Sequence, residues 1–394
     1  MFSKNFKFEN FRNLKKVNKN IEKEYKKIIH QNYRYKNLIT SFSKNYQNDY
    51  TKKDLRKFKN FKSYSIYGMG GSSLGIQAIY DFLRHKIKKK FYFLDNLSSS
   101  KKKFTEKKNL NIIISKSGNT LETIVNQNIF SGKKNIFITE NTNNYLRKIA
   151  LKTRADIIEH KNYIGGRYSV LSEVGMLPAE LMGLNTRKFK QFDALASNKK
   201  FIKSILHNVN SIYSLISGGK TNLVLINYDQ NLNNLLKWYQ QLIAESLGKK
   251  TKGIFPIISE MPKDNHSIMQ LFLDGKRNNI FTFFDSKEKN STKIKTNRLL
   301  EEFSFLSKKN INLIKSAQKN ATKRVFSKKN FPFRSFEIDI KNEICLGELF
   351  TFFMIETILL GKLLNIDPFN QPAVELIKIE TKKILKKNIY QKQF

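Results

Sequence analysis

The residues best suited to chemistry by type and spacing lie at positions 238–249, which read WYQQLIAESLGK. Gln241 and Glu245 are four residues apart, so on a helix they lie on one face, one turn from each other. The apolar residues between them would pack that helix against a core, and Gly248 predicts its end. A carboxylate one turn from an amide, beside an aromatic pair, is well placed to meet a ligand. The same pattern also fits an ordinary solvated glutamate on an amphipathic helix.

Two glycine-containing loops each follow a strand-like run and precede a helical pattern. The first reads GMGGSSLG at positions 68–75, and the second reads SKSGNTLET at positions 115–123. A strand, a glycine loop and a helix aim backbone N–H groups at an anion, and the hydroxyls of Ser115, Ser117 and Thr120 could add to such a site. The loops match neither the dinucleotide fingerprint nor a Walker loop. The pattern favours a phosphate cradle, with tight turns and a helix cap at Thr120 as the structural alternatives.

Three further side chains carry a weaker signal when each is taken alone. Arg167 follows two glycines and has little cover from its sequence neighbours, so its guanidinium could lie in a cleft and neutralise a developing oxyanion. His266 lies at a loop-to-helix junction, where a histidine is more often an ordinary packed or surface residue. Lys378 follows a proline that opens a helix, and it could be one more lysine in a lysine-rich chain.

The composition limits the class of protein. The chain of 394 residues carries a net charge of +41, but only twelve of its 73 basic residues are arginine, and lysine is spread over the whole length with abundant Asn, Ile and Phe. This pattern is typical of a genome biased toward A and T rather than of a nucleic-acid site, which favours clustered arginine. We therefore expect no nucleic-acid partner, although the charge should attract anionic metabolites.

Cysteine usage and targeting signals bear on the compartment. The single cysteine, Cys345, excludes a disulfide framework and a thiolate metal cage within the chain. The start lacks the apolar region of a secretory signal, and the sequence has no run of about 18 apolar residues. We expect a cytoplasmic protein that does not span a membrane.

The order of the elements predicts an α/β protein with two units. The predicted strands cover residues 65–67, 110–114, 135–139, 156–160, 222–227, 254–258, 279–284 and 335–340, and the predicted long helices cover residues 231–247 and 346–364. Strands that alternate with helices favour parallel sheets. We expect a helical segment at 1–60, a first domain at 61–190, a second domain at 200–365 and a C-terminal helix at 366–394.

Six segments, in this order, resemble the glucose-6-phosphate isomerase (phosphoglucose isomerase) family of the bacterial type. They read GMGGSSLG, SKSGNTLET, GGRYSVLSEVGMLP, WYQQLIAESLGK, GIFPIISEMPKDNHSIMQ and NIDPFNQPAVELIK, and the resemblance covers most of the chain. It implies two sugar-isomerase (SIS) domains, each a three-layer αβα unit with a mainly parallel sheet, in a homodimer. It also implies interconversion of glucose 6-phosphate and fructose 6-phosphate, a step of glycolysis and gluconeogenesis.

The resemblance implies a role for each motif residue. Glu245 matches the base that moves a proton between C2 and C1, and Arg167 matches the arginine that stabilises the cis-enediolate. His266 matches the ring-opening histidine, which the family supplies from the neighbouring subunit, and Lys378 matches the lysine that assists at the ring oxygen. The residues that match contacts to the sugar and its phosphate are Gly71, Ser72, Ser115, Lys116, Ser117, Thr120, Gln241 and Gln371.

The chain departs from the family pattern around two of these residues. Residues 262–264 differ from the usual context of the histidine, and Ala373 and Ile377 stand where glycine or tyrosine is more usual. One alternative is a non-catalytic phosphosugar-binding regulator, which would keep the serine loops without needing the catalytic side chains. Another is a related enzyme that also accepts mannose 6-phosphate. Because only protons move in the expected reaction, we expect no cofactor and no metal.

Overall fold

The computed structural model describes residues 2–12, 16–29, 36–98, 108–132, 134–288 and 291–391. The strands of this part are β1 (Phe6–Glu9), β2 (Ser63–Tyr67), β3 (Lys90–Leu94), β4 (Asn109–Ile114), β5 (Asn135–Thr139), β6 (Asp156–Glu159), β7 (Asn222–Asn227), β8 (Phe255–Glu260), β9 (Asn279–Ser286) and β10 (Phe333–Ile338). The helices are α1 (Lys19–Ile29), α2 (Lys36–Thr40), α3 (Leu74–Phe82), α4 (Leu121–Phe130), α5 (Tyr145–Lys152), α6 (Glu173–Leu181), α7 (Phe192–Ala196), α8 (Lys199–Ser217), α9 (Asn233–Leu247), α10 (Met269–Asp274), α11 (Ile311–Lys328), α12 (Glu343–Leu363) and α13 (Val374–Gln391). The mixed α/β fold with parallel sheets is confirmed.

The first sheet has the strand order β3-β2-β4-β5-β6, and all of its neighbouring strands are parallel. Four of its strands lie where the apolar runs predict them. β3 was not predicted, because its sequence KFYFL is short and lies between two lysine-rich runs. Since β2 and β4 are neighbours, their carboxyl ends bring the two glycine-containing loops to the same edge of this sheet.

The second sheet has the order β1-β10-β9-β7-β8. Its strands β10, β9, β7 and β8 are parallel, whereas β1 pairs antiparallel with β10 and places Phe6 opposite Ile338. The expectation that residues 1–60 are helical is therefore wrong for Phe6–Glu9. The sequence FKFE alternates apolar and polar residues, which is the period of a strand, and the ring of Phe8 packs 4.7 Å from that of Phe336. Residues 1, 13–15 and 30–35 of this segment and residues 392–394 lie outside the described part of the chain.

Helix α9 lies between the two sheets, where it packs against α3 of the first unit and α12 of the second. α12 is apolar on all sides and is buried over nearly its whole length. In the described residues it is the one helix long and apolar enough to cross a membrane, with a mean hydropathy of 1.8, but 94% of that window is buried inside the protein. Its burial is that of a core helix, and it holds α9 at the boundary between the two units.

Candidate active site

Helix α9 presents Glu245 at the boundary between the two units. Gln241 and Glu245 lie one turn apart, as their spacing predicts, and Gln241 Nε2 donates a hydrogen bond of 2.8 Å to Glu245 Oε1. The Glu245 side chain is 31% exposed, so it can meet a ligand. The expected aromatic pair does not flank it: Trp238 packs 4.6 Å from Phe350, and both aromatic residues of the motif are buried in the core.

Arg167 lies in the 3-10 turn Gly166–Leu171, and its side chain is only 2% exposed. Residues distant in sequence bury the side chain, whereas the expectation of little cover concerned its sequence neighbours alone. Its Nε donates to Ser246 Oγ (2.8 Å), and its Nη2 donates to the carbonyl oxygens of Pro368 (2.7 Å) and Asn370 (3.0 Å). These bonds hold the guanidinium rigidly, since each of them uses a fixed direction of its planar fork.

The guanidinium joins three of the sequence-predicted residues into one cluster. Arg167 Nη1 donates to Gln371 Oε1 at 2.8 Å and lies 3.3 Å from Glu245 Oε2. Gln241 holds the other carboxylate oxygen, so both oxygens of Glu245 have a fixed partner. An arginine fixed beside a half-exposed carboxylate can stabilise an oxyanion next to a base.

The glycines of the first loop allow two close approaches at this cluster, one within the first unit and one to α9 of the second. A Cβ on Gly71 would lie 2.2 Å from the carbonyl carbon of Gly166, and a Cβ on Gly70 would lie 2.7 Å from Gln241 Nε2. Gly70 also has a positive φ of 53°, which favours glycine. The loop therefore packs directly on the turn that carries Arg167, with Ser72 half-buried at its end.

The second loop places two hydroxyls together at the start of α4. Ser115 Oγ and Thr120 Oγ1 are 2.8 Å apart, and Thr120 makes no side-chain hydrogen bond that caps α4. Lys116 Nζ donates to the carbonyl of Asn162 (2.7 Å), while Ser117 is exposed. The helix N-terminus therefore keeps N–H groups that its capping residue does not use, which is the arrangement that binds anions.

Within the described residues, no hydrogen bond or ion pair joins His266 or Lys378 to this cluster. His266 is exposed on the 3-10 turn Lys263–His266, and within the described residues no hydrogen bond joins it to Glu245 or Arg167. Lys378 lies on α13, is 62% exposed, and pairs with Glu375 at 2.6 Å. Their expected roles stay predictions.

Sequence reasoning missed two side chains that touch the cluster. Ser246 accepts from Arg167 and lies 3.1 Å from Tyr168 Oη, and Lys249 donates to the carbonyls of Glu245 and Asn370. Both lie in the motif that contains Glu245, and this proximity was the signal that could have found them. The described residues include no group of three or more His, Cys, Asp or Glu side chains placed to hold a metal ion.

Solved structures share this fold over nearly the whole chain. A hypothetical protein from Thermus thermophilus has a TM-score of 0.81 at 22% identity, covering 93% of this chain and 95% of that chain. A glucose-6-phosphate isomerase from Chlamydia trachomatis has a TM-score of 0.71 at 16% identity, covering 93% of this chain and 84% of that chain. Two mainly parallel sheets flanked by helices, with a polar cluster at the loops between them, define a protein of the α/β class whose fold these structures share.

Sequence relatives narrow the class further. The model of the family described as phosphoglucose isomerase matches residues 10–393. The glucose-6-phosphate isomerase of Methanocaldococcus jannaschii is 35% identical over 361 residues, which is 84% of this chain and 86% of the relative. That of Mycoplasmoides gallisepticum is 30% identical over 354 residues, or 81% of this chain and 82% of the relative. The chain belongs to the phosphoglucose isomerase family.

Proposed function

We propose that this chain interconverts glucose 6-phosphate and fructose 6-phosphate, the reaction named for its relatives, with Glu245 as the proton-transfer base. The supporting observation is the cluster in which Arg167 Nη1 lies 3.3 Å from Glu245 Oε2 while Gln241 holds Oε1 at 2.8 Å. The membership of this chain in a family of glycolytic isomerases supports this reaction. We also place the enzyme in the cytoplasm, for which its single, buried cysteine is suited.

In the proposed mechanism Glu245 takes a proton from C2 of the open-chain aldose and returns it to C1, while the proton of the C2 hydroxyl passes to the oxygen on C1. Its two oxygens have fixed partners, so the carboxylate need not reorient between the two steps. Arg167 stabilises the negative oxygen of the cis-enediolate, because a guanidinium keeps its charge and its position throughout the reaction. No hydride moves in this sequence of steps.

The loop at 115–120 and the loop at 68–75 would bind the sugar phosphate. The Ser115–Thr120 hydroxyl pair and the N-terminus of α4 supply donors to a phosphate, and Gly71 lets backbone approach the site. Replacing Ser115, Ser117 and Thr120 together by Ala should raise KM at least tenfold with a smaller change in kcat. An unchanged KM in steady-state kinetics would mean that the loop serves only the fold.

We further propose that the enzyme is a homodimer in which His266 opens the sugar ring held by the other subunit. His266 is exposed, and within the described residues no hydrogen bond joins it to Glu245; both observations support this arrangement. Ring opening needs a proton donor within about 3 Å of the ring oxygen, so a site without the second subunit would be incomplete. Lys378 is proposed to assist at the same oxygen.

The reaction is tested by an assay of purified protein with fructose 6-phosphate, coupled to detection of glucose 6-phosphate. Wild-type protein should turn over without added metal. The Glu245→Gln variant should bind the sugar phosphate and lose a factor of at least about a thousand in kcat, because it lacks the base. Activity of Glu245→Gln within tenfold of wild type would overturn the assignment of the base.

The shared site is tested by mixing two inactive variants. His266→Ala and Glu245→Gln dimers should each be nearly inactive, whereas exchange of subunits creates heterodimers with one intact site. A random equal mixture places about half of the dimers in this state, so about a quarter of all sites should recover. Subunit exchange seen by native mass spectrometry without any return of activity would show that His266 does not act across the interface.

A further inference from the structure

Lys249 joins the end of the base-bearing helix to the loop that carries Gln371. It follows the C-cap Gly248, and its Nζ donates to the carbonyl of Glu245 at 3.0 Å and to the carbonyl of Asn370 at 2.7 Å. The first acceptor belongs to the last turn of α9, where carbonyls lack a partner within the helix. The second belongs to the residue next to Gln371. One ammonium group therefore connects two chain segments that are distant in sequence.

Two cations hold the same loop. Arg167 donates to the carbonyls of Pro368 and Asn370 and to the side chain of Gln371, and Lys249 donates to Asn370 as well. The carbonyl of Asn370 thus accepts from both groups. Two positive groups therefore share one acceptor despite their mutual repulsion, and both donate to the segment that carries Gln371.

The surroundings of Lys249 differ from those of the exposed lysines on the surface. Partial burial and the charge of Arg167 lower the pKa of Lys249 to about 8, against the opposing effect of the carboxylates of Asp367 and Glu245. These three side chains are the charged groups that face it. The ammonium is protonated at neutral pH, and its proton becomes labile only slightly above neutrality.

We propose that Lys249 is a positioning residue of the active site: it ties the terminal turn of α9 to the loop at 367–371 and places a positive charge behind Glu245. This inference rests on the proposed role of Glu245. This connection keeps Gln371 hydrogen-bonded to Arg167, and it therefore keeps Arg167 beside Glu245.

The kinetic test compares Lys249→Met, Lys249→Arg and the control Lys252→Met. Lys249→Met should lower kcat about tenfold to a hundredfold with a smaller change in KM, since the tie shapes the site more than it binds substrate. Lys249→Arg keeps the charge and the hydrogen-bond donors, so it should retain most of the wild-type kcat.

Lys252 is a matched control because it makes the same kind of bond nearby. Its Nζ donates at 3.1 Å to the carbonyl of Leu364, the C-cap residue of α12, which precedes the loop at 367–371. Lys252→Met should keep the wild-type kcat. An equal loss of activity in Lys252→Met and Lys249→Met would overturn the proposal, as would a Lys249→Met enzyme with an unchanged kcat.

A second measurement does not depend on activity. Hydrogen exchange of a peptide covering residues 367–373, read by mass spectrometry, should be faster in Lys249→Met than in wild type or in Lys252→Met. Equal exchange in all three proteins would overturn the tie between α9 and the loop. An inactive wild-type protein would refute the proposed function, whereas the exchange experiment would still decide whether Lys249 holds the loop.

Discussion

Two buried arginines, Arg167 and Arg334, occupy different regions of this molecule and use their charge in different ways. Arg334 lies on β10 in the second unit and is completely buried, and Arg167 is 2% exposed at the boundary between the units. Arg334 forms an ion pair with Glu356 of α12, whose side chain is also completely buried. The carboxylate partner of Arg167 is Glu245, which is 31% exposed.

The charge of Arg334 is matched within the core. Its guanidinium donates to Glu356 through both terminal nitrogens, to Asn208 Oδ1 (2.7 Å) and to Thr282 Oγ1 (3.0 Å). Tyr239 of α9 accepts from it at 3.0 Å and donates to Glu356. Through Tyr239, this network holds one side of α9, and Glu245 lies on the other side of the same helix.

The charge of Arg167 is matched less completely. Apart from Glu245, its hydrogen-bond acceptors in the described part of the chain are neutral oxygens, and its contact with Glu245 is a single one at 3.3 Å. A cation surrounded by fixed neutral acceptors keeps more of its field for a charge that develops beside it. Burial of a guanidinium therefore does not reveal its role; the charge and exposure of its partner do.

Removing the matching charge in the core should have the largest effect on stability. Glu356→Gln leaves Arg334 buried without a carboxylate, so we expect a loss of about 3–5 kcal/mol in the free energy of unfolding. Urea denaturation measures this loss, and kcat per folded molecule should stay within a few-fold of wild type. A loss below about 1 kcal/mol would show that the pair is not an essential part of the core.

Substituting the arginine of the site should have the next largest effect, on turnover. Lysine cannot reproduce the five donors of Arg167, so Arg167→Lys should lower kcat about 10²–10³-fold with a smaller change in KM. The matched control Arg334→Lys should lose stability instead. Tyr239→Phe, which removes one hydroxyl from the Arg334 network, serves as a milder control. If Arg167→Lys changed KM alone, Arg167 would contribute only to substrate binding and not to turnover.

A third buried cation, Lys190, sharpens the comparison because a lysine can lose its proton. Its Nζ donates to the carbonyls of Ser41 (2.5 Å) and Leu171, the last residue of the turn that carries Arg167. Burial lowers the pKa of Lys190 to about 7, although the nearby Glu173 opposes this shift. Between pH 7 and the ordinary pKa near 10.5 the unfolded chain therefore binds more protons at this group than the folded chain does.

The stability of the wild-type protein should accordingly gain from Lys190 as pH rises above 7. We expect the free energy of unfolding to rise by about 1–2 kcal/mol between pH 7 and pH 9 because of this group. Below pH 7 the contribution of Lys190 should change little, because the group is protonated in both the folded and the unfolded state. Urea denaturation of wild type and Lys190→Met at the two pH values isolates this group from others that titrate. If the free energy of unfolding changed equally with pH in wild type and Lys190→Met, the low pKa of Lys190 would be contradicted.

Much of the fold followed from the sequence because its signals are local. The strands β5 and β7 have the predicted bounds, and Gly248 caps the end of α9 as predicted. Gln241 and Glu245 share a face because helical spacing alone places them there. β1 and β3 could not be read in this way, since each is a short run whose strand conformation depends on pairing with a neighbour distant in sequence.

The arrangement of the candidate site, in contrast, was decided only by tertiary structure. The burial of Arg167 depends on Ser246 and on carbonyls of the loop near Gln371, about 80 and 200 residues away along the chain. The tie made by Lys249 likewise depends on a backbone carbonyl, which any residue type supplies. Residue types and spacing therefore determined which groups are available for chemistry. The packing of α9 between the two units determined which of those groups meet, because hydrogen bonds between distant segments form only once both segments are in place.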